Sequence, residues 1–488
     1  MQPPGSTRKS LLSVKTFEQI IDTSEAGEHK LKRALGPWNL VGLGIGAIIG
    51  AGLFSLTGIA AAENAGPAIV LSFLIAAVGC GLAGMCYSEL AAMIPVSGSA
   101  YTYAHATLGE LVAWIIGWSL VLEYALGAAT VSVSWSSYVV DLFNSFGVAL
   151  PAKIPLGSIA FGGASPVPVS LDLGAILIII AVSLVLMRGI SESAWVNTVI
   201  VIVKVSIVVA VVAVGVFYIR PANYTPFIPP NTGTFGEFGV SGIFRAAGVI
   251  FFAYIGFDAV STASQEAKHP QRDMPIGILG SLLVCTVLYI AFALVLTGMV
   301  YYRDMQGDAH PVATAINLTP FPVLQVLVKV GIIGGFTSVM LVMLLGQSRV
   351  FRAMAADGLL PSFFGDIHPK WRTPWKSNLT LMIFVSLFSG FLPISTLGHM
   401  TSIGTLLAFV IVCIGVMVLR RTRPDLPRPY RVPLVPFVPI LGIIVCLAMM
   451  LSLDQATWYR LIIWIVIGLA VYFGYSRRRI VHMPQIAE

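Results

Sequence analysis

Apolar runs long enough to cross a bilayer follow one another along almost the whole of this 488-residue chain. They can be marked at about 37–62, 66–94, 110–142, 171–187, 194–218, 242–266, 275–300, 321–355, 378–394, 398–419, 434–452 and 457–475. About twenty apolar residues span the hydrocarbon core as a helix. A backbone facing lipid must satisfy its own hydrogen bonds, so only helices and closed barrels cross. Runs this long read as helices. The expected fold is an all-α polytopic membrane protein of about twelve transmembrane helices. Only 10% of the residues are charged, far below the roughly 25% of soluble domains.

The placement of charge sets the expected topology. With the N-terminus inside, 22 of the 29 lysines and arginines fall on the inner side, 4 on the outer side and 3 within runs. That asymmetry supports an even number of crossings with both termini cytoplasmic, in a plasma membrane. It also accounts for the +7 net charge without nucleic acid. The first 36 residues are polar, lack the apolar core of a signal peptide, and read as a cytoplasmic tail. Within them Val14, Phe17, Ile20 and Ile21 suit a short helix lying on the membrane surface. The longest outer segment, 143–170, is rich in Gly, Pro and Ser, and no soluble domain is expected. Cys80, Cys86, Cys285, Cys413 and Cys446 all fall in apolar runs without metal-site spacing and read as buried thiols.

Within the first run lies Leu43-Gly44-Ile45-Gly46-Ala47-Ile48-Ile49-Gly50-Ala51-Gly52-Leu53-Phe54. Each Gly costs about 1 kcal/mol of helix propensity relative to Ala. Two readings stand. The helix unwinds near the bilayer midplane, which is tolerated only where the freed backbone lines a protein cavity, or the glycines form a helix–helix packing face. The sixth run, Val249 to Val260, carries Gly256 and Asp258 in its middle and enters from the opposite side. Runs 1–5 and 6–10 would then be inverted repeats, each led by an interrupted helix, the sequence pattern that points to a transporter binding site. The expected divisions are a tail at 1–36, a first repeat at 37–218, a second at 219–420, and the last two helices with the C-terminus at 421–488.

Three ionisable residues lie deep in apolar runs: Glu123 in the third, Lys204 in the fifth and Asp258 in the sixth. A charge at a helix centre costs about 2.5–3.5 kcal/mol on insertion scales. At 1.5 Å per residue, Glu123 and Lys204 lie roughly 20 and 14 Å from the inner surface, level with the glycines of the first run. Each could be structural, with Lys204 paired to Asp258 and Glu123 neutral. Fully ionised they sum to −1, which favours a cation, whether a proton or a basic side chain. Helix-end N–H groups favour a carboxylate and unwound carbonyls an ammonium. Together these describe an amino acid.

The motifs Gly44–Phe54, Phe252-Ala253-Tyr254-Ile255-Gly256-Phe257-Asp258 and Pro270-Gln271-Arg272-Asp273-Met274-Pro275 resemble those of the amino acid–polyamine–organocation transporters. Within that superfamily the chain looks most like bacterial relatives of the cationic amino acid transporters. Pro95–Tyr103 and Asp357-Gly358-Leu359-Leu360-Pro361 also match, so the resemblance covers about residues 30–475. It implies the LeuT-like five-plus-five inverted repeat with broken first and sixth helices. It further implies that backbone at Ile48, Ile49, Gly50 and Gly52 holds the substrate carboxylate, that Phe252, Ala253 and Ile255 offer carbonyls to the α-ammonium, and that Tyr254 sits beside the site. Lys204 would stand where sodium-coupled relatives bind a sodium ion, reaching first-helix carbonyls and the eighth helix near Thr337 and Ser338. Protonation there could bias the inward–outward equilibrium. Glu123 and Asp258 would face the substrate's basic end. Ala51 departs from the Ser or Thr common at its place.

The implied function is proton-coupled uptake of cationic and small neutral L-amino acids (arginine, lysine, ornithine or alanine) by a monomeric unit in the bilayer. No cofactor is expected beyond the proton as coupling ion. A neutral, alanine-type symporter and an amino acid or polyamine exchanger are the alternatives within the fold. A channel or a membrane sensor is a further alternative; the paired broken helices argue against a channel. No nucleotide loop, metal spacing or nucleophile–base constellation suggests an enzyme, and Gly44-x-Gly46 lacks the βαβ context of a dinucleotide fingerprint.

Overall fold

A computed structural model describes residues 35–94, 99–151, 153–159, 167–189 and 194–477. The stretch Val14–Ile21 and the residues Pro95–Gly98 lie outside them. In chain order the helices are α1 (Pro37–Ile48), the short α2 (Thr57–Ala60), α3 (Ile69–Met93), α4 (Ser99–Thr107), α5 (Glu110–Ser145), α6 (Leu173–Met187), α7 (Ala194–Gly215) and α8 (Gly239–Ile250). There follow α9 (Ala259–Thr262), α10 (Pro270–Met299), α11 (Pro311–Ile316), α12 (Pro322–Ala356), α13 (Trp375–Phe391), α14 (Ile394–Thr422), α15 (Phe437–Ser452) and α16 (Gln455–Val471).

Eight helical stretches among the described residues are long and apolar enough to cross a membrane. The longest, Gly52–Met93, holds parts of two sequence runs. They are separated at Gly66, whose φ of +60° is a left-handed conformation that Gly adopts without penalty. Boundaries elsewhere follow local chemistry. Pro37 opens α1, where a missing N–H costs nothing. Asp172 caps α6 by accepting the Ala175 N–H at 2.9 Å, and Asp454 caps α16 through Thr457 N–H at 3.1 Å. The seventh run begins earlier than its apolar residues suggest. Helix α10 starts at Pro270, with Pro275 inside it.

Two elements go beyond the sequence reading. Segment 143–170 contributes to an antiparallel hairpin of β1 (Ile154–Ile159) and β2 (Val167–Leu171). Helix α4 lies between the second and third runs. At the centre of the bundle α5 packs on α12 and α14, while α10 packs on α1 and α3. Large apolar side chains such as Leu177, Ile202, Val287 and Ile463 remain exposed on the outside, which suits helices solvated by lipid. All five cysteines are buried free thiols, as their apolar setting predicts.

Candidate functional site

The first run is broken, but later than its glycine pattern suggests. Helix α1 continues through Gly44 and Gly46 and ends at Ile48, and Ile49 turns to an extended conformation with ψ of 104°. The chain re-enters helix at Gly52–Leu56 with wide π-type turns. Both readings of the glycines therefore hold, at different positions. Gly44 is a packing residue, since a Cβ there would lie 2.4 Å from Ser281 Oγ. Gly50 falls in the break. Gly52 begins the outer half, where the Leu53 and Phe54 N–H groups donate to the Gly50 carbonyl at 3.2 and 3.1 Å.

The sixth run is broken at the matching place. Helix α8 tightens into a 3₁₀ turn at Phe251–Tyr254, and Ile255 is extended with ψ of 136°. Gly256 takes φ of +118°, and helix resumes at Ala259. The two breaks touch backbone to backbone. A Cβ on Gly52 would sit 2.3 Å from Ala253 Cα, and one on Gly256 would sit 2.9 Å from the Ala47 carbonyl carbon. Only glycine fits either position.

Tyr289 of α10 fastens the two breaks together. Its hydroxyl lies 3.0 Å from the Ile48 carbonyl oxygen and 2.9 Å from that of Ala253, so its single proton is shared between the two ends. Sequence reasoning passed over Tyr289, because one aromatic in a long apolar run is indistinguishable from core.

Lys204 of α7 is 1% exposed, and its ammonium donates to the Gly46 carbonyl at 2.6 Å. Its stem runs past α12 at Gly335, where a Cβ would come within 3.1 Å of Lys204 Cε. Gly335 was another residue that the sequence did not single out. Of the α12 hydroxyls expected nearby, Thr337 bonds back to the Ile333 carbonyl at 3.0 Å. Ser338 is buried, and its Oγ has no hydrogen-bond partner among the described residues.

Glu123 of α5 and Asp258 are both fully buried and lie beside each other, with Thr405 of α14 at the same spot. Asp258 Oδ2 accepts the Tyr124 hydroxyl. Its Oδ1 and both oxygens of Glu123 have no donor among the described residues. Thr405 cannot supply one, because its hydroxyl is donated to the Thr401 carbonyl at 3.0 Å. Two carboxylates cannot bond to each other without a proton between them. Bare, buried and adjacent charges of one sign are costly, so three unmet acceptor atoms call for a cation or a shared proton.

Ile48, Ile49, Ala51, Phe252, Ala253, Tyr254 and Ile255 are each at most 3% exposed, so the meeting point of the breaks is closed to solvent. Tyr254 is tied to the Phe73 carbonyl at 3.2 Å. On one side Tyr138 bonds the Phe54 carbonyl at 2.6 Å. At one end of the bundle Tyr101 bonds Asp357 at 2.6 Å, with His105 3.4 Å from the same carboxylate oxygen.

A bundle with two interrupted, mutually packed membrane helices and buried charge at the interruption defines a multi-pass membrane permease. A family profile for amino acid permeases matches residues 35–471, and the chain belongs to that family. It is 42% identical over 470 residues to the methylthioribose transporter of Bacillus subtilis (strain 168), covering 96% of this chain and 98% of that one. The branched-chain amino acid permease BcaP of the same organism is 42% identical over 469 residues, covering 96% of this chain and 98% of its own. Cationic amino acid transporter 4, vacuolar, of Arabidopsis thaliana is 36% identical over 416 residues, covering 85% and 68%. These relatives are transporters, and the chain is accordingly a permease rather than an enzyme.

Proposed function

We propose that the chain is a secondary active amino acid transporter. It takes up cationic and small neutral L-amino acids by alternating access, coupled to protons. In this reading twelve helices cross the plasma membrane with both termini cytoplasmic. Runs 1–5 and 6–10 form inverted repeats, and one chain is the transport unit. The observation that carries it is the Lys204 ammonium on the Gly46 carbonyl, a protonatable cation fixed just before the first break. Protonated, the lysine holds α1 to α7; deprotonated, it loses its positive charge and the charge-assisted part of that bond. Substrate carboxylate rests on the N–H groups at Gly50, Ala51 and Gly52, with Ile48 and Ile49 closing that side. The α-ammonium rests on carbonyls at Phe252, Ala253 and Ile255, with Tyr254 as a wall. The basic end of the substrate meets Glu123 and Asp258, whose open acceptor atoms suit it.

A second reading is favoured by the closeness of those two carboxyls and by the name of the branched-chain permease relative. Here the pair shares a proton and the substrate is neutral. Uptake of labelled arginine into liposomes, with and without an inward proton gradient, tests the proposal, with alanine and leucine as competitors. Gradient-stimulated arginine uptake is expected. Uptake of leucine or alanine without arginine moves the carboxyls to proton handling, and gradient-independent uptake that needs internal amino acid rejects coupling. Glu123→Gln is expected to weaken arginine uptake more than alanine uptake; equal losses would exclude Glu123 from the basic-end contact.

A further inference from the structure

Away from the two breaks, a groove of about 600 Å³ opens beside the start of α10. It is lined by Gln271, Arg272, Pro275, Ile276 and Leu279 of that helix and by Pro429 and Tyr430 of the loop after α14. We propose that this groove binds an anionic phospholipid, with its phosphate on Arg272 and Gln271 and an acyl chain along Pro275, Ile276 and Leu279 against Pro429 and Tyr430.

Charge supports the headgroup end. Arg272 is exposed and makes no ion pair with a described residue. The next acid in the chain, Asp273, is buried and accepts the His269 N–H. Arg428, next in the chain to the lining residue Pro429, is already occupied by carbonyls and lies 3.5 Å from Glu89. The exposed Arg431 follows Tyr430. A guanidinium without a carboxylate partner, next to a primary amide, is suited to a phosphate.

Geometry supports the acyl end. Leu279 lies seven residues beyond Arg272 on one helix, about 10 Å along its axis. Charge therefore sits at the terminus of a membrane-crossing helix and apolar surface deeper, the order of polarity in a lipid leaflet. Ile276 is 37% exposed, so one apolar wall of the groove is open. A small soluble anion would leave that wall uncovered. A phospholipid covers both parts and bridges α10, the helix carrying Tyr289, to the loop whose Val432 N–H is held by Glu89 at 2.7 Å.

The inference rests on the membrane setting alone and not on the transport reading. The test is native mass spectrometry of the full chain with equal amounts of phosphatidylglycerol and phosphatidylcholine. Preferential retention of phosphatidylglycerol is expected. Arg272→Gln should lower that retention about fivefold, the factor one basic residue contributes near an anionic surface. Lys370→Gln, which removes another exposed cation at the same end, should leave it unchanged. Ile276→Trp, which fills the groove from an exposed position, should displace both lipids while the protein stays monodisperse. The proposal fails if Arg272→Gln has no effect, or if Lys370→Gln lowers retention equally, since diffuse surface charge then suffices. It also fails if inorganic phosphate displaces the lipid, since the site is then one for a free anion.

Discussion

The two breaks have the same shape and opposite chemistry. At the first, around Gly50, no side chain of the break carries charge. The polar groups are backbone, and α7 delivers the Lys204 ammonium to the carbonyl of Gly46. At the second, the acid Asp258 belongs to the interrupted helix itself, and Glu123 and Tyr124 of α5 converge on it. One break therefore presents peptide groups held by an external cation, and the other presents carboxyls held by a tyrosine. On the proposed function, these faces carry charge complementary to the carboxylate and ammonium of a zwitterion. The two breaks pack backbone to backbone, with no room for a Cβ between Gly52 and Ala253.

Removing that close approach gives the largest expected effect. Gly52→Ala would place its methyl 2.3 Å from a backbone atom of Ala253, which no rotamer can relieve. Overpacking of this kind costs about 1–3 kcal/mol, and here it would push apart the two faces that must act together. Transport is expected to fall below detection while the protein still inserts, as measured by uptake alongside the amount of folded protein on a sizing column. Normal uptake would mean that the breaks need not touch. Gly44→Ala makes the comparison sharper. It also clashes, but with the Ser281 side chain, and should cost less activity.

Lys204→Met comes next. It keeps most of the stem's volume against Gly335 but removes the charge that singles out the first break. Proton-gradient stimulation should disappear while residual exchange persists, which parallel uptake assays at two pH gradients would reveal. A variant still driven by the gradient would transfer coupling to the Glu123–Asp258 pair, so this substitution decides which break senses protons. Tyr289→Phe should do less. It leaves the ring in place and strips one hydroxyl from the Ile48 and Ala253 carbonyls. Losing a partner for buried polar groups costs about 1–3 kcal/mol. A drop in uptake of about tenfold is expected, equal for all substrates because neither carboxyl is touched.

These residues also mark how far the sequence could be read. The apolar helices were legible because lipid imposes a single rule on every crossing, whereas the caps at Asp172 and Asp454 show only in the N–H groups they accept. Lys204, Glu123 and Asp258 were legible because charge in an apolar run is rare. Gly44, Gly46, Gly50 and Gly52 look alike on the page. What separates packing at Gly44 from interruption at Gly50 is which neighbour approaches, and that is a tertiary fact. Tyr289 and Gly335 were invisible for the same reason, since their roles lie in partners roughly 240 and 130 positions away and the alphabet of an apolar helix conceals them. The hairpin of β1 and β2 was missed because Gly and Pro in segment 143–170 read as loop.

The smallest effect is expected outside the breaks themselves, where Asp308 and His310 precede α11. His310 Nδ1 lies 3.0 Å from Asp308 Oδ1, and Thr314 donates to the other carboxylate oxygen at 2.6 Å. Burial opposes both charges, yet the hydrogen bond and opposite charge hold Asp308 below the usual carboxylate range and lift His310 above its ordinary value. The signs define a window. The raised His310 contributes below its unfolded value of about 6.5, and that contribution is lost as pH rises through the folded value. The lowered Asp308 contributes above its unfolded value of about 3.9, and that contribution is lost as pH falls. The pair is therefore strongest in mildly acidic solution. The His310 side chain is 35% exposed, so screening limits the pair to about 1 kcal/mol or less. His310 also stacks edge-on against Tyr138, with ring centroids 6.2 Å apart, and Tyr138 holds the outer half of the first broken helix through Phe54. His310→Gln is expected to lower the melting temperature slightly at pH 5.5 and hardly at all at pH 8. A melting curve that shifts equally at both values would make the histidine a packing residue and leave Lys204 and the carboxyl pair as the groups to examine for any acid dependence of uptake.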